Sequence, residues 1–298
     1  MKLTFLGTSA MVPTKERNHI GMLLQYKGEG ILFDCGENIQ RQLRTAGIPL
    51  SGIKKILITH WHGDHVLGLP GLLQTLSAQM SNDTKIWLYG PKGTKKQFGL
   101  LKKALLFEPQ LDISVKDVAK GKFAEAEDYY LEALPMEHSI PCLGFSFIEK
   151  DRRRIDLKKA RKYSLPEGPV MGQLQDGKTV TWQGKKIRPG DVSYVVKGKK
   201  LAYVVDTAYC SNAIALAKDA DLLVCEATYS DRLADKAEEN MHLTAKQAGL
   251  VASNANAKKL IITHFSQRYK TVGELEEDAR TVFRNVRSAH DLMSVDIT

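Results

Sequence analysis

Three histidines and one aspartate fall within six consecutive positions of the chain, in Thr59-His60-Trp61-His62-Gly63-Asp64-His65. Neutral imidazole and carboxylate form the donor set that suits Zn2+, Fe2+ or Mn2+. The cluster follows Lys55-Ile56-Leu57-Ile58-Thr59, a short apolar run that reads as a buried strand. His60 and His62 are two residues apart, so in an extended turn both rings face one way. Asp64 and His65 follow on the next bend and address a second point nearby. No structural role calls for such a density of histidine.

Further donors stand beside other strand-like runs. His138 follows Leu131–Leu134, Asp206 ends Leu201–Val205, and His264 follows Leu260–Thr263. Singly, each would pass as a core histidine or a capping aspartate. With the cluster they supply ligands for two metals, and a carboxylate at a strand end can bridge a pair. Two ions ~3.5–4 Å apart activate water at neutral pH and clamp the oxygens of a phosphodiester.

The elements that must position these residues alternate. Strands are expected at Leu3–Leu6, Met22–Tyr26, Ile31–Asp34, Ile86–Tyr89 and Leu222–Cys225, the last ending at Glu226. Helical spacing marks Gln40–Ala46, Leu67–Gln79, Lys95–Phe107, Ala245–Ala255 and Val272–Val286. This rhythm predicts an α/β layered fold, in which functional side chains stand just past strand ends.

The stretch 151–191 breaks the rhythm. It is polar and carries Arg152-Arg153-Arg154, Lys158-Lys159, Arg161-Lys162, Lys185-Lys186 and Arg188, broken by Pro166, Gly168-Pro169, Gly172 and Gly177. It reads either as a solvated excursion or as a protruding arm that grips phosphates. The formal net charge of +9 favours polyanionic partners. Cys35, Cys142, Cys210 and Cys225 form no CxxC pair and read as buried thiols. No apolar run approaches the ~20 residues that span a bilayer. With no signal-peptide pattern at Met1–Gly7, a cytoplasmic protein that does not engage membranes is expected.

The His-x-His-x-Asp-His pattern of His60–His65 resembles the signature of the metallo-β-lactamase superfamily. Several segments resemble its ribonuclease Z family along nearly the whole chain. They are Phe5-Leu6-Gly7-Thr8-Ser9-Ala10, the PxKxR-like Pro13–Asn18, Phe33-Asp34-Cys35-Gly36-Glu37, and Gly168-Pro169 within the basic stretch. Late matches are Glu226-Ala227-Thr228, His242-x-Thr244 and Thr263–Tyr269. The chain departs from the family pattern at Cys225, where HEAT is usual, at Leu243, where HST is usual, and at Val205, where a glycine commonly precedes the bridging aspartate.

The resemblance implies a single αβ/βα sandwich of two mixed sheets flanked by helices over residues 1–298, with 151–191 as an inserted flexible arm for tRNA. It implies two zinc ions per subunit. His60, His62 and His138 would hold one, Asp64, His65 and His264 the other, and Asp206 would bridge them. It also implies endonucleolytic cleavage of precursor tRNA after the discriminator, leaving a tRNA 3′-hydroxyl and a trailer 5′-phosphate. Asp64 would accept a proton from the attacking water. His242, partnered by Glu226, would protonate the leaving 3′-oxygen. Lys15 and Arg17 would steer the single-stranded 3′ end, Gly168-Pro169 and Arg268 would contact substrate, and a homodimer is expected. Of the eight histidines, only His19 and His290 have no role. Hydrolysis of small phosphodiesters and 3′-exonuclease action use the same centre and stay open. A non-catalytic RNA-binding protein would have lost a ligand.

Overall fold

The computed structural model describes residues 1–81, 83–106 and 108–297. In chain order its strands are β1 (Lys2–Gly7), β2 (Gly21–Tyr26), β3 (Glu29–Phe33), β4 (Ile53–Leu57), β5 (Lys85–Gly90), β6 (Asp112–Asp117), β7 (Gly121–Glu125), β8 (Tyr129–Met136) and β9 (Cys142–Glu149). Then come β10 (Arg152–Ile155), β11 (Val180–Trp182), β12 (Lys185–Ile187), β13 (Ser193–Val196), β14 (Lys200–Val204), β15 (Leu222–Glu226), β16 (Leu260–Thr263), β17 (Val286–Ser288) and β18 (Ser294–Asp296). Two compact units result. One comprises Met1–Glu125, Leu131–Phe147 and Lys200–Thr298, the other Ala126–Tyr130 and Ile148–Lys199.

The first unit carries two seven-stranded sheets, ordered β18-β1-β2-β3-β4-β5-β6 and β17-β16-β15-β14-β9-β8-β7. The first is mixed: β1 pairs antiparallel with β18 and β2, whereas β3, β4, β5 and β6 run parallel. In the second, β14 to β17 are parallel. Strands buried on both faces read as continuous apolar runs rather than alternating ones, as in Leu222-Leu223-Val224-Cys225.

Aromatic rings join the sheets. Tyr26 meets Phe147 and Phe33 meets Tyr203 edge to face, at 5.1 and 5.4 Å between centroids. Helices cover the outer faces. Ile39, Leu43, Leu69, Leu72, Leu76 and Phe98 seal the first sheet, and Leu216, Ala248, Val251, Ala252, Leu275 and Ala279 the second. Each large apolar side chain so buried contributes about 1.5–3 kcal/mol. The helix Ala245–Asn254 starts on a capping box, with Thr244 accepting from the Gln247 N–H and Gln247 accepting from the Thr244 N–H. That cap anchors the chain two residues past His242.

Most expected elements recur within a residue or two, but the C-terminal helix does not. It spans Gly273–Arg280 only, and Val286 opens β17 beside β16 instead. Val282, Phe283 and Val286 keep a helical spacing that a three-residue edge strand also tolerates. The helix expected at Lys95–Phe107 runs over Thr94–Ala104, and Phe107 lies outside the described residues.

The second unit is folded, in contrast to an irregular excursion from one domain. β10 and β13 pair antiparallel, β11 and β12 form a hairpin, and short helices span Leu157–Lys162 and Pro169–Gln175. Ala160, Leu165, Leu174, Val180, Ile187 and Val192 are buried together. These apolar residues are too widely spaced to show as a periodic pattern. The unit also extends beyond 151–191 to take in 126–130, 148–150 and 192–199.

Candidate metal centre

Asp34, Asp206 and His264 lie just beyond β3, β14 and β16, with φ of 55°, 53° and 59°. Left-handed backbone is uncommon outside glycine and persists where the surroundings over-determine it. Here each turn brings a polar side chain back over the strand ends. The loop of Asp34 also packs beneath the histidine cluster. A Cβ on Gly36 would stand 2.3 Å from the Asp64 carbonyl oxygen, and one on Gly68 would stand 1.9 Å from that of Gly36. Glycine at both positions lets the two loops touch. Trp61 anchors the cluster from outside, donating to Thr94 Oγ1 at 2.9 Å.

The side chains meet as two groups. His60 Nε2 lies 3.0 Å from His62 Nδ1, which lies 3.3 Å from His138 Nε2. Nitrogens about 2.0–2.1 Å from a tetrahedral ion stand about 3.4 Å apart, so this triangle fits one cation. Asp206 Oδ2 approaches His60 and His138 Nε2 at 3.7 and 3.9 Å. Its other oxygen, Oδ1, faces His65 and His264 Nε2 at 3.4 and 3.2 Å. Asp64 Oδ2 lies 3.5 and 3.6 Å from the same two nitrogens. Asp206 thus offers one oxygen to each group. His65 Nε2, His264 Nε2 and Asp206 Oδ1 are buried with no hydrogen-bond partner. Buried polar atoms are ordinarily paired, and one cation among Asp64, His65 and His264 would satisfy all three.

Neighbours set the tautomers. The Asp34 carboxylate can only accept, and His65 Nδ1 lies 3.0 Å from its Oδ2, so Nδ1 carries a proton and Nε2 is the atom turned to the centre. Asp34 also accepts from the Thr59 N–H and hydroxyl and from the Tyr203 hydroxyl. Thr59 Oγ1 is thereby free to accept from His60 Nδ1 at 3.1 Å. His138 Nδ1 lies 3.3 Å from the Met241 carbonyl, which only accepts. Thr228 donates to Glu226 Oε2 at 2.6 Å and accepts from His264 Nδ1 at 3.0 Å. Four histidines therefore turn Nε2 inward, each with Nδ1 held by an outer partner as in metal-binding histidines.

The charges agree with cation binding. Burial and the repulsion of His65 push His60 well below the usual imidazole range. Burial would lower His65 too, but Asp206, Asp34 and Asp64 outweigh it and drive it well above that range. Burial opposes ionisation of Asp206, yet His264, His65 and His60 hold it well below the usual carboxylate range. The three carboxylates around His65 thus mark its side of the centre as short of positive charge.

His242 also brings a nitrogen within 4.8 Å of Asp206 and His264, but a carboxylate outside the two groups engages it. Its Nδ1 lies 3.0 Å from Glu226 Oε2 and 4.0 Å from Asp206 Oδ2. The nitrogen turned toward Asp206 is thus already held by Glu226, which leaves Nε2 free. Burial would lower its pKa, but the charge and hydrogen bond of Glu226 raise it to about 9. Glu226 is fully buried and also accepts from the Thr207 N–H at 2.7 Å, next to Asp206.

A cleft of ≈ 680 Å³ opens over the centre, its floor formed by His62, Asp64, His138, Asp206, His242 and His264. Arg268 lines it, with its guanidinium 5.0 Å from the Tyr229 ring centroid and its Nε donating to Ser266 Oγ at 3.0 Å. Lys15 is exposed on the Thr14–Arg17 turn and does not line the cleft. Arg17 donates from one guanidinium nitrogen to the Tyr269 carbonyl at 2.6 Å and so holds the loop that carries Arg268. Gly168 and Pro169 are exposed in the second unit, at the start of the helix Pro169–Gln175. Cys225, Leu243 and Val205 are buried. None of these three departures disturbs the hydrogen bond between His242 and Glu226. His19 is buried, its Nε2 3.0 Å from the Met11 carbonyl, and His290 is exposed. Sequence reasoning missed Thr59, Thr228 and Tyr203, whose one signal was closeness to the ligands or to a strand end.

Two mixed sheets between helices, with this centre at their strand ends, define a metal-dependent hydrolase of the metallo-β-lactamase superfamily. A family model described as Beta-lactamase superfamily domain matches residues 173–265, and one described as Anti-Pycsar protein Apyc1 matches residues 1–153. The chain belongs to the ribonuclease Z family. It is 41% identical to ribonuclease Z of Methanothermobacter thermautotrophicus, over 100% of this chain and 97% of that protein. It is 37% identical to ribonuclease Z of Methanosarcina acetivorans, over 100% and 98%. The solved structure of human tRNase Z, short form, superposes with a TM-score of 0.73 at 29% identity, covering 100% of both chains. The metallo-β-lactamase fold protein YhfI of Bacillus subtilis gives 0.71 at 18% identity, covering 99% and 98%, and shares the fold. Among the described residues, no helix is long and apolar enough to cross a membrane.

Proposed function

We propose that the chain is an endoribonuclease that hydrolyses precursor tRNA after the discriminator nucleotide, with two zinc ions in this centre, acting as a cytoplasmic homodimer. The observation that carries the reading is Asp206, whose two oxygens each face one histidine group. His60, His62 and His138 would hold one ion, and Asp64, His65 and His264 the other. Nitrogen and carboxylate donors suit zinc. Ions bound there would supply activated water at neutral pH and offset charge on the phosphate.

The chain's own residues do the rest. Asp64 accepts the proton of the attacking water. His242 enters protonated, kept so by Glu226, and donates from Nε2 to the departing 3′-oxygen. The products are a tRNA 3′-hydroxyl and a trailer 5′-phosphate. Arg268, stacked and braced, neutralises a phosphate beside the cut. Lys15 meets the 3′ strand at longer range.

The second unit grips the body of the tRNA. It carries fourteen Lys and Arg against eight Asp and Glu, a net +6 of the chain's +9. Helical RNA gives side chains little sequence to read, so phosphate and 2′-hydroxyl contacts dominate. Gly168 and Pro169 shape the exposed end of one of its helices.

The test is nucleotide-resolution mapping of the cut in an unmodified precursor tRNA with a short trailer. One metal-dependent cut after the discriminator, absent in Asp64→Ala, supports the reading. A ladder of shortened ends means a 3′-exonuclease. Hydrolysis of bis-p-nitrophenyl phosphate without any RNA cleavage means a small-substrate hydrolase.

A further inference from the structure

The described residues include twelve exposed large hydrophobic side chains, and four of them line the cleft of the metal centre: Met11 (79% exposed), Leu67 (56%), Met241 (42%) and Val12 (38%). The same cleft is lined by His62, Asp64, His138, Asp206, His242 and His264. Apolar side chains left in water around one polar site mark a surface that something covers.

Their backbones are tied to the centre. The Met11 carbonyl lies 3.0 Å from Nε2 of the buried His19. Leu67 directly follows the Gly63–Val66 turn that carries Asp64 and His65. Met241 has φ 54°, its carbonyl orients His138, and the next residue is His242. The lip is therefore held in register with the ligands, although its side chains are free.

We propose that Met11, Leu67 and Met241 form a base-binding lip, which packs on the unpaired nucleobases flanking the scissile phosphodiester. The inference rests on the endoribonuclease reading. A phosphodiester seated on the centre carries a nucleoside on each side, directly over this lip. Single-stranded nucleic acid sites pair positive charge with apolar platforms, because every base has a π-face. Thioethers suit this role, being polarisable and indifferent to ring identity. Met241 precedes the residue that protonates the 3′-oxygen, so it meets the base upstream of the cut. Met11 and Leu67, on the side of Asp64, meet the base downstream. The lip recognises an unpaired base of any identity.

A substrate–enzyme double-mutant cycle tests this. Single-turnover cleavage is measured for wild type, Met11→Ser, Leu67→Ser and Met241→Gln, on intact precursor tRNA and on precursors abasic at either flanking nucleotide. Met11→Leu and Met241→Leu serve as conservative controls. On the intact precursor each polar variant should lose about two- to ten-fold in kcat/KM, with the leucine variants near wild type. On the precursor abasic at its partner base, wild type should fall by at least that factor, and the polar variant should lose less relative to wild type there than on the intact precursor. Losses that simply multiply on both abasic substrates overturn the lip and leave the endoribonuclease reading intact. Failure of the wild type to cut intact precursor after the discriminator overturns the reading itself.

Discussion

Asp34 touches no predicted cation position, yet one isosteric change there should weaken one ion selectively. Its carboxylate takes four donors: the Thr59 N–H at 2.8 Å, and the Thr59 hydroxyl, His65 Nδ1 and Tyr203 hydroxyl at 3.0 Å each. In Asp34→Asn the amide oxygen can still accept from the Thr59 N–H, which places the new NH2 against His65 Nδ1. The Thr59 and Tyr203 hydroxyls can rotate to accept from it. His65 cannot, unless Nδ1 gives up its proton. The ring must then carry the proton on Nε2, the atom that faces Asp206 Oδ1 at 3.4 Å. Loss of an outer partner of this kind costs 10–100-fold in metal affinity, or about 1.4–2.7 kcal/mol. The asparagine keeps volume and most hydrogen bonds, so the fold should survive. Asp34→Ala would instead strand several buried donors at about 1–3 kcal/mol each. The assay is zinc titration of metal-free protein against a chromophoric chelator. One of two binding steps should weaken 10–100-fold, with the step assigned to His60, His62 and His138 within about two-fold of wild type. Two unchanged steps, or two equally weakened ones, would refute the reasoning.

Other outcomes follow from the same geometry. Thr228→Val removes the hydroxyl between Glu226 and His264 and should lower kcat about ten-fold, with Thr228→Ser near wild type, as read by steady-state kinetics. The pairing of His242 with Glu226 raises the folded pKa from 6.5 to about 9, so its stabilisation is fully present below pH 6.5 and lost as pH rises through about 9. Denaturant unfolding of metal-free wild type and His242→Gln should accordingly differ at pH 6 and converge near pH 10. Arg17→Ala should cost about 1.5–3 kcal/mol in thermal unfolding, because a charged donor to the Tyr269 carbonyl is lost. Arg152, Arg154, Lys158 and Lys159, all exposed, should together raise KM for precursor tRNA when changed to alanine, lowering the salt slope by about one per lost phosphate contact. Bis-p-nitrophenyl phosphate hydrolysis by that variant should stay at the wild-type rate.

The candidate centre was legible because four of its ligands share six residues, and three more stand at the ends of apolar runs. Strand ends are visible in one dimension, and ligands that sit on them inherit that visibility. The hydroxyls of Thr59, Thr228 and Tyr203 were not, because their work depends on which side chain folds back above them. β6 and β7 are only half buried and lack an apolar signal. The core of the second unit draws on six small or branched side chains spread from Ala160 to Val192, each isolated among polar residues or prolines. Those neighbours hid its packing. Arg17 shows a role that sequence did not suggest. A cation in a motif loop reads as a phosphate contact, while one of its guanidinium nitrogens donates to a carbonyl of the chain itself.

The most direct measurement is a zinc titration of metal-free protein in which bound ions and cleavage of precursor tRNA are followed in the same samples. Cleavage after the discriminator should stay near zero until the first site fills, rise with the second equivalent and level off at two ions per chain. In Asp206→Ala that second, activating step should vanish. Full activity at one ion per chain, or a cut that persists without metal, would contradict a centre in which one aspartate serves two cations.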